Sequence, residues 1–229
     1  MTLRPGENEY VPALRFRWLT PYYDNIVRLT TREATFKRAL LRQARIEPGH
    51  RVLDLACGTG TLAIWIKQCE PLAEVIGVDG DASILSLALR KGHEAGVSLR
   101  FDHAMSHELP YPPGHFDRAV SSLFFHHLSM GAKERTAHEL FRVLKPGAEL
   151  HVADWGRPSS AVMRVLFLSI QSLDGFANTQ DNVDGRLVEV MQAAGFSEVS
   201  ERETFGTVFG TLALYRALKP ALSMRSAGL

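Results

Sequence analysis

The chain has 229 residues, enough for one sizeable α/β domain and too few for two comfortable ones. Hydrophobic content of 45% and charged content of 22% are those of a globular protein, and a formal net charge of +1 gives no electrostatic case for nucleic acid or an anionic membrane surface. The two cysteines, Cys57 and Cys69, cannot form a disulfide framework and lack CxxC spacing for zinc.

Residues 1–20 look irregular, and Thr20-Pro21 starts a short helix through Leu29. No apolar signal-peptide core stands at the N-terminus, so residence in the cytoplasm is expected. Residues 31–46 place Phe36, Leu40, Leu41 and Ala44 at helical spacing; the charges between them, like Trp65 further on, read as surface and packing. Pro48-Gly49 stops that helix. Strands and helices then alternate: strand 51–56, helix 60–68, strand 74–79, helix 82–95, strand 99–101, strand 116–122, helix 131–144 and strand 148–154. Such alternation predicts a mostly parallel sheet wound on both faces by helices, with ligands beyond the carboxyl ends of its strands.

The tail breaks this rhythm. A helix over 159–173 carries Met163, Leu166, Phe167 and Ile170 on one stripe, a polar loop is expected over 174–184, and a helix ends at Gly195. Segments 197–203 and 207–216 read as strands pairing antiparallel at the sheet edge. The most apolar run, Val162 to Leu173, is interrupted by Arg164, and no run reaches the roughly 18 apolar residues that span a bilayer.

The most informative stretch is Val52-Leu53-Asp54-Leu55-Ala56-Cys57-Gly58-Thr59-Gly60. A buried strand enters a loop whose glycines let the backbone approach a ligand closely. A second strand ends in Asp79, at the spacing where an acid grips ribose hydroxyls, so a nucleoside-containing cofactor is expected. Gly58-Thr59-Gly60-Thr61-Leu62-Ala63 also satisfies the dinucleotide pattern GxGxxA, which keeps an NAD(P)-dependent oxidoreductase open as an alternative. Asp54 inside the first strand argues against it. Nine histidines invite a metal reading, but their spacings fit no zinc pattern and no metal is expected.

The form D-x-A-C-G-T-G resembles the first motif of class I S-adenosylmethionine (SAM)-dependent methyltransferases. Further stations resemble that family in order: Leu109-Pro110 before Phe116-Asp117, Phe141 to Gly147 before the fifth strand, and Gln192-Ala193-Ala194-Gly195-Phe196 before the last strands. Within it, Tyr23-Asp24 resembles the ubiquinone/menaquinone-biosynthesis C-methyltransferase type, whereas Phe124-Phe125-His126-His127 is commoner in other small-molecule methyltransferases.

The resemblance implies a doubly wound, seven-stranded, mostly parallel sheet with one antiparallel edge strand, a Rossmann-like methyltransferase fold. It divides the chain into an N-terminal helical lid (1–46), a SAM-binding domain (47–219) with a substrate-side helical insertion (157–185), and a loose tail (220–229). It implies SAM as cofactor, S-adenosylhomocysteine as product, and a small, partly apolar acceptor, in a monomer or homodimer that binds no nucleic acid and spans no membrane. Ala56, Gly58 and Gly60 would carry the methionine part. Asp54 would organise the loop and reach the amino group, and Asp79 would take the ribose hydroxyls with Gly80 and Asp81 beside the adenine. Met105 stands where relatives commonly have Asp or Asn, with Ser106 supplying a polar N–H. Ser121 or Ser122 would approach the methionine carboxylate or amino end, and Tyr23 would lid the pocket. His127, or else His126, would serve as a base, since two adjacent helical residues cannot both face the cofactor. Phe124, Phe125, Trp155, Phe167 and Phe176 could line an acceptor pocket. A SAM-binding partner subunit without turnover carries the same cofactor residues and remains a reading of another class.

Overall fold

A computed structural model of the chain describes residues 33–174 and 176–221. Helix α1 (Glu33–Ala44) leads into β1 (Arg51–Leu55), α2 (Thr61–Cys69), β2 (Glu74–Asp79), α3 (Ala82–Glu94), β3 (Arg100–His103) and β4 (Phe116–Ser122). A 3₁₀ turn (Phe125–His127) precedes α4 (Met130–Val143), β5 (Leu144–Trp155), α5 (Ala161–Asp174), α6 (Phe176–Val183), α7 (Leu187–Ala193), β6 (Ser197–Thr207) and β7 (Gly210–Leu218). The seven strands form one sheet in the order β3-β2-β1-β4-β5-β7-β6.

β1 to β5 pair in parallel, and β7 runs antiparallel to both β5 and β6. The expected sheet is therefore present, with one refinement: the reversed strand lies one place inside the edge, which β6 occupies. Four of the five residues of β1, Val52 to Leu55, are buried, as in a strand covered on both faces. Leu53 and Leu55 enter a core shared with Leu140, Val143 and Met191 of α4 and α7. Val52 enters the opposite core, with Phe36 and Leu40 of α1, Leu62 and Ile66 of α2, and Phe167 of α5.

β5 begins earlier than expected, because Leu144 pairs with Phe116 and a register irregularity absorbs the Lys145-Pro146-Gly147 turn within the strand. The larger correction falls on residues 174–184. The expected polar loop is helix α6. Among its described side chains Thr179, Asn182 and Val183 are buried at helical spacing, and two of these three are polar, which weakens the apolar periodicity. Tertiary contact supplies what the apolar stripe lacks: Asn182 Nδ2 donates to the Trp155 carbonyl at 3.1 Å. On α5, Phe167 is buried and Met163 and Leu166 are half-buried, while Val162, Val165 and Leu168 are exposed. No helix among the described residues is long and apolar enough to cross a membrane.

Candidate active site

The loop after β1 sits at the carboxyl edge of the sheet, with β2 on one side of the strand and β4 on the other. Ala56, Gly58 and Gly60 all have positive φ, at 55°, 54° and 75°. Glycine is required twice over at Gly60: its backbone is left-handed, and a Cβ would stand 2.8 Å from the Phe101 ring. A Cβ on Gly58 would meet nothing within 4 Å, so the space above the loop is open. That opening is a cradle a ligand can enter. Lys91 Nζ donates to Thr59 Oγ1 at 3.1 Å and Thr61 Oγ1 at 2.7 Å, pinning the loop from α3.

Two carboxylates flank the cradle. Asp54 is buried in β1, and its Oδ2 accepts the Ala63 amide at 3.0 Å, satisfying one of the orphan donors of the α2 N-terminus. Burial pushes its carboxyl up to about 7, against the opposing pull of Lys37. Asp79 accepts from the Gly58 amide at 2.9 Å through Oδ2 and from the Asp81 amide at 2.9 Å through Oδ1. Burial raises its carboxyl above the usual range, and those two amides oppose the shift. Each oxygen keeps a lone pair, so Asp79 can accept two ligand hydroxyls as well.

The remaining candidates divide. Gly80 and Asp81 follow Asp79 directly, but the Asp81 carboxylate is the N-cap of α3, accepting from Ser83 N at 2.8 Å and Ser83 Oγ at 2.6 Å. Met105 and Ser106 follow β3 and are half-buried; Ser106 Oγ lies 2.8 Å from Thr136 Oγ1. Ser121 is fully buried and donates to the Leu55 carbonyl at 3.0 Å, so its hydroxyl ties β4 to β1. Ser122 is half-buried beside it. Tyr23 lies outside the described residues, as do the helix expected to end at Leu29 and most of the tail. Of the proposed acceptor aromatics, Phe125, Trp155 and Phe167 belong to the core and Phe124 is half-buried. The charges of α1 are not all surface: Glu33 and Lys37 are buried.

Beyond β4, Leu123 takes a positive φ of 55° and turns the chain into the 3₁₀ turn that carries both histidines. There the two imidazoles do not diverge as helical neighbours would. Their ring centroids are 3.9 Å apart. His126 is buried and its Nδ1 lies 2.7 Å from Asp154 Oδ1, a residue the sequence reading did not single out. Asp154 also accepts the amides of Phe124 (3.1 Å), His126 (3.3 Å) and Trp155 (2.7 Å). Burial alone would raise the Asp154 carboxyl, but His126 and the Trp155 amide hold it below the ordinary range. His127 is pushed down to about 3 by burial and by its neighbour His126, so it is uncharged at neutral pH. An acid near the carboxyl end of β5, comparable to Asp79 at the end of β2, was the signal available in the sequence. Lys133 of α4 is buried near this group, with Nζ 3.4 Å from Asp181 of α6.

Comparison with known proteins agrees with this geometry. Residues 52–147 match a methyltransferase domain family. The chain is 32% identical over 211 residues to a demethylmenaquinone methyltransferase of Thermus thermophilus, covering 83% of this chain and 95% of that protein. It is 31% identical over 206 residues to a ubiquinone/menaquinone biosynthesis C-methyltransferase of Pseudomonas aeruginosa, covering 81% and 78%. Among solved structures, a SAM-dependent methyltransferase from Aquifex aeolicus superposes with a TM-score of 0.63 at 18% identity, covering 87% of this chain and 96% of that one. The chain therefore belongs to the class I SAM-dependent methyltransferases of the ubiquinone/menaquinone-biosynthesis C-methyltransferase type, enzymes that methylate small molecules.

Proposed function

We propose that the chain methylates a ring carbon of a small, partly apolar hydroquinone. The relatives' named activities on menaquinone and ubiquinone precursors support the acceptor class. The observation that carries the reading is the His126–Asp154 pair, held at the carboxyl edge one strand away from the glycine cradle. Bound SAM supplies a methyl group already activated on a sulfonium, so the chain's residues have mainly to align acceptor and donor and to exclude water.

Gly58 and Gly60 give the cofactor backbone access, Asp79 takes the ribose hydroxyls, and Asp54 faces the amino end. A ring carbon becomes a better nucleophile when the adjacent hydroxyl loses its proton. His126 Nε2 is the acceptor for that proton, because Asp154 fixes the other ring nitrogen and stabilises the imidazolium that forms. His127, uncharged and with its ring tilted against that of His126, offers a second hydrogen-bonding group without storing charge. The half-buried Phe124 is the aromatic side chain offered to the acceptor.

The test is transfer from SAM to a demethylated naphthohydroquinone kept reduced, read by mass spectrometry. A methylated product supports the reading; SAM binding without transfer to any hydroquinone would favour a silent SAM-binding subunit. Asp79→Ala should weaken SAM binding at least about tenfold in calorimetric titration, the loss expected from removing charge-assisted bonds to two hydroxyls. Unchanged affinity would remove the ribose assignment. NAD should give no heat.

A further inference from the structure

The charged pair at the start of α1 has no place in the catalytic scheme. Glu33 is 7% exposed and Lys37 8%, although both are ordinarily surface residues. Lys37 Nζ sits 2.5 Å from Glu33 Oε1, one helical turn away. Burying such a pair costs desolvation that the mutual attraction only partly offsets, so its presence asks for a use.

Its position supplies one. α1 ends at the amino edge of the sheet, since a short turn joins it to β1. Gln43, near that end, donates to the Tyr215 carbonyl at 3.0 Å and lies 3.1 Å from His151 Nδ1. His151 pairs with Val120, and Val120 with Asp54. Six residues earlier on the helix, Lys37 lies about 9 Å further toward the carboxyl edge. That is the rise of roughly three strand residues past Asp54, and it reaches the level of the glycine loop. The charge of Lys37 is felt there, opposing the burial of both Asp54 and Cys57. Meanwhile Ser121, the expected partner of the methionine carboxylate, is committed to the Leu55 carbonyl.

We propose that Lys37 and Glu33 form the seat for the zwitterionic amino-acid end of SAM, with the Lys37 ammonium taking the carboxylate and Glu33 facing the ammonium. An ion pair is the electrostatic complement of a zwitterion: each of its charges exchanges one partner for another of the same sign. The proposal rests on the glycine loop being the cofactor cradle, and its test separates the two.

The probes are SAM and 5′-methylthioadenosine, which keeps the nucleoside and thioether but lacks the amino-acid end. In calorimetric titration, Lys37→Met should lose about tenfold or more affinity for SAM, the worth of one charge-assisted bond, and keep methylthioadenosine binding. Lys37→Arg should recover most of the loss. Because Lys37→Met leaves Glu33 buried without its cation, the double variant Glu33→Gln with Lys37→Met is measured beside it, and retained methylthioadenosine binding reports that each variant is folded. Unchanged SAM affinity, or parallel loss of both ligands in the double variant, would overturn the proposal. If the parent chain bound neither ligand, the cradle itself would be misassigned.

Discussion

Asp54→Asn should unfold several degrees above the parent protein at pH 8 and yet bind SAM at least about tenfold more weakly. The carboxyl is 1% exposed, and its ordinary value of 3.8 is raised to about 7, mainly by burial. Between these values the unfolded chain ionises while the folded chain stays protonated. Stability therefore falls as pH rises from about 4 to about 7, and the whole cost is present above that. Roughly three units at 1.36 kcal/mol each set an upper figure of about 4 kcal/mol. Asparagine removes the charge and keeps an oxygen for the Ala63 amide, so the variant escapes the cost. A gain of 1 kcal/mol moves the Tm of a chain this size by about 2–4 °C. The ligand side has the opposite sign. A carboxylate facing the cofactor's ammonium must be ionised, so parent affinity should weaken from pH 8 to pH 6 while the variant's stays weak and flat. Thermal melts at pH 4 and pH 8, with titrations at pH 6 and pH 8, check both halves. A variant less stable than the parent at pH 8 would show that the Ala63 bond, not the buried charge, governs this site.

The sheet's centre was legible because local and global signals agree there. β4 spans the expected residues 116–122, and Val52 to Leu55 read as a buried strand and fold as one. The glycine cradle was equally plain, since positive φ and close approach leave little choice of residue. What escaped was whatever depends on packing across the chain. α6 buries Thr179 and Asn182 where apolar residues were sought. The charges of α1 read as surface and packing, yet Glu33 and Lys37 are buried where α1 packs against the sheet. Ser121 was near enough in sequence to reach the cofactor, but inward pleating gives its hydroxyl to Leu55. Asp154 stands 28 residues from His126, a separation that periodicity and short motifs do not bridge.

That distant pair carries the second large effect: Asp154→Asn should lower kcat about a hundredfold or more while leaving the Kd for SAM unchanged. The carboxylate accepts three amides and one imidazole nitrogen, and its retained oxygen in asparagine keeps the turn's amides largely satisfied. The amide nitrogen, however, donates toward His126 Nδ1. It thereby fixes the tautomer with the proton on Nε2, the nitrogen that must accept the acceptor's proton. Loss of a positioned general base costs about 10²–10⁴ in rate. Asp154→Ala is a different experiment, because it strands a histidine and three amides in a buried site and should unfold far more easily. His126→Ala should match Asp154→Asn in kcat, and the two changes together should cost little more than either alone, as parts of one unit do. His127→Ala should cost less, since an imidazole pushed down to about 3 is a poor proton acceptor at neutral pH. Steady-state kinetics on the hydroquinone, with SAM affinity measured in parallel, decides the ranking. If His127→Ala is the crippled variant and Asp154→Asn turns over normally, the base is His127 and Asp154 only holds the 3₁₀ turn in place.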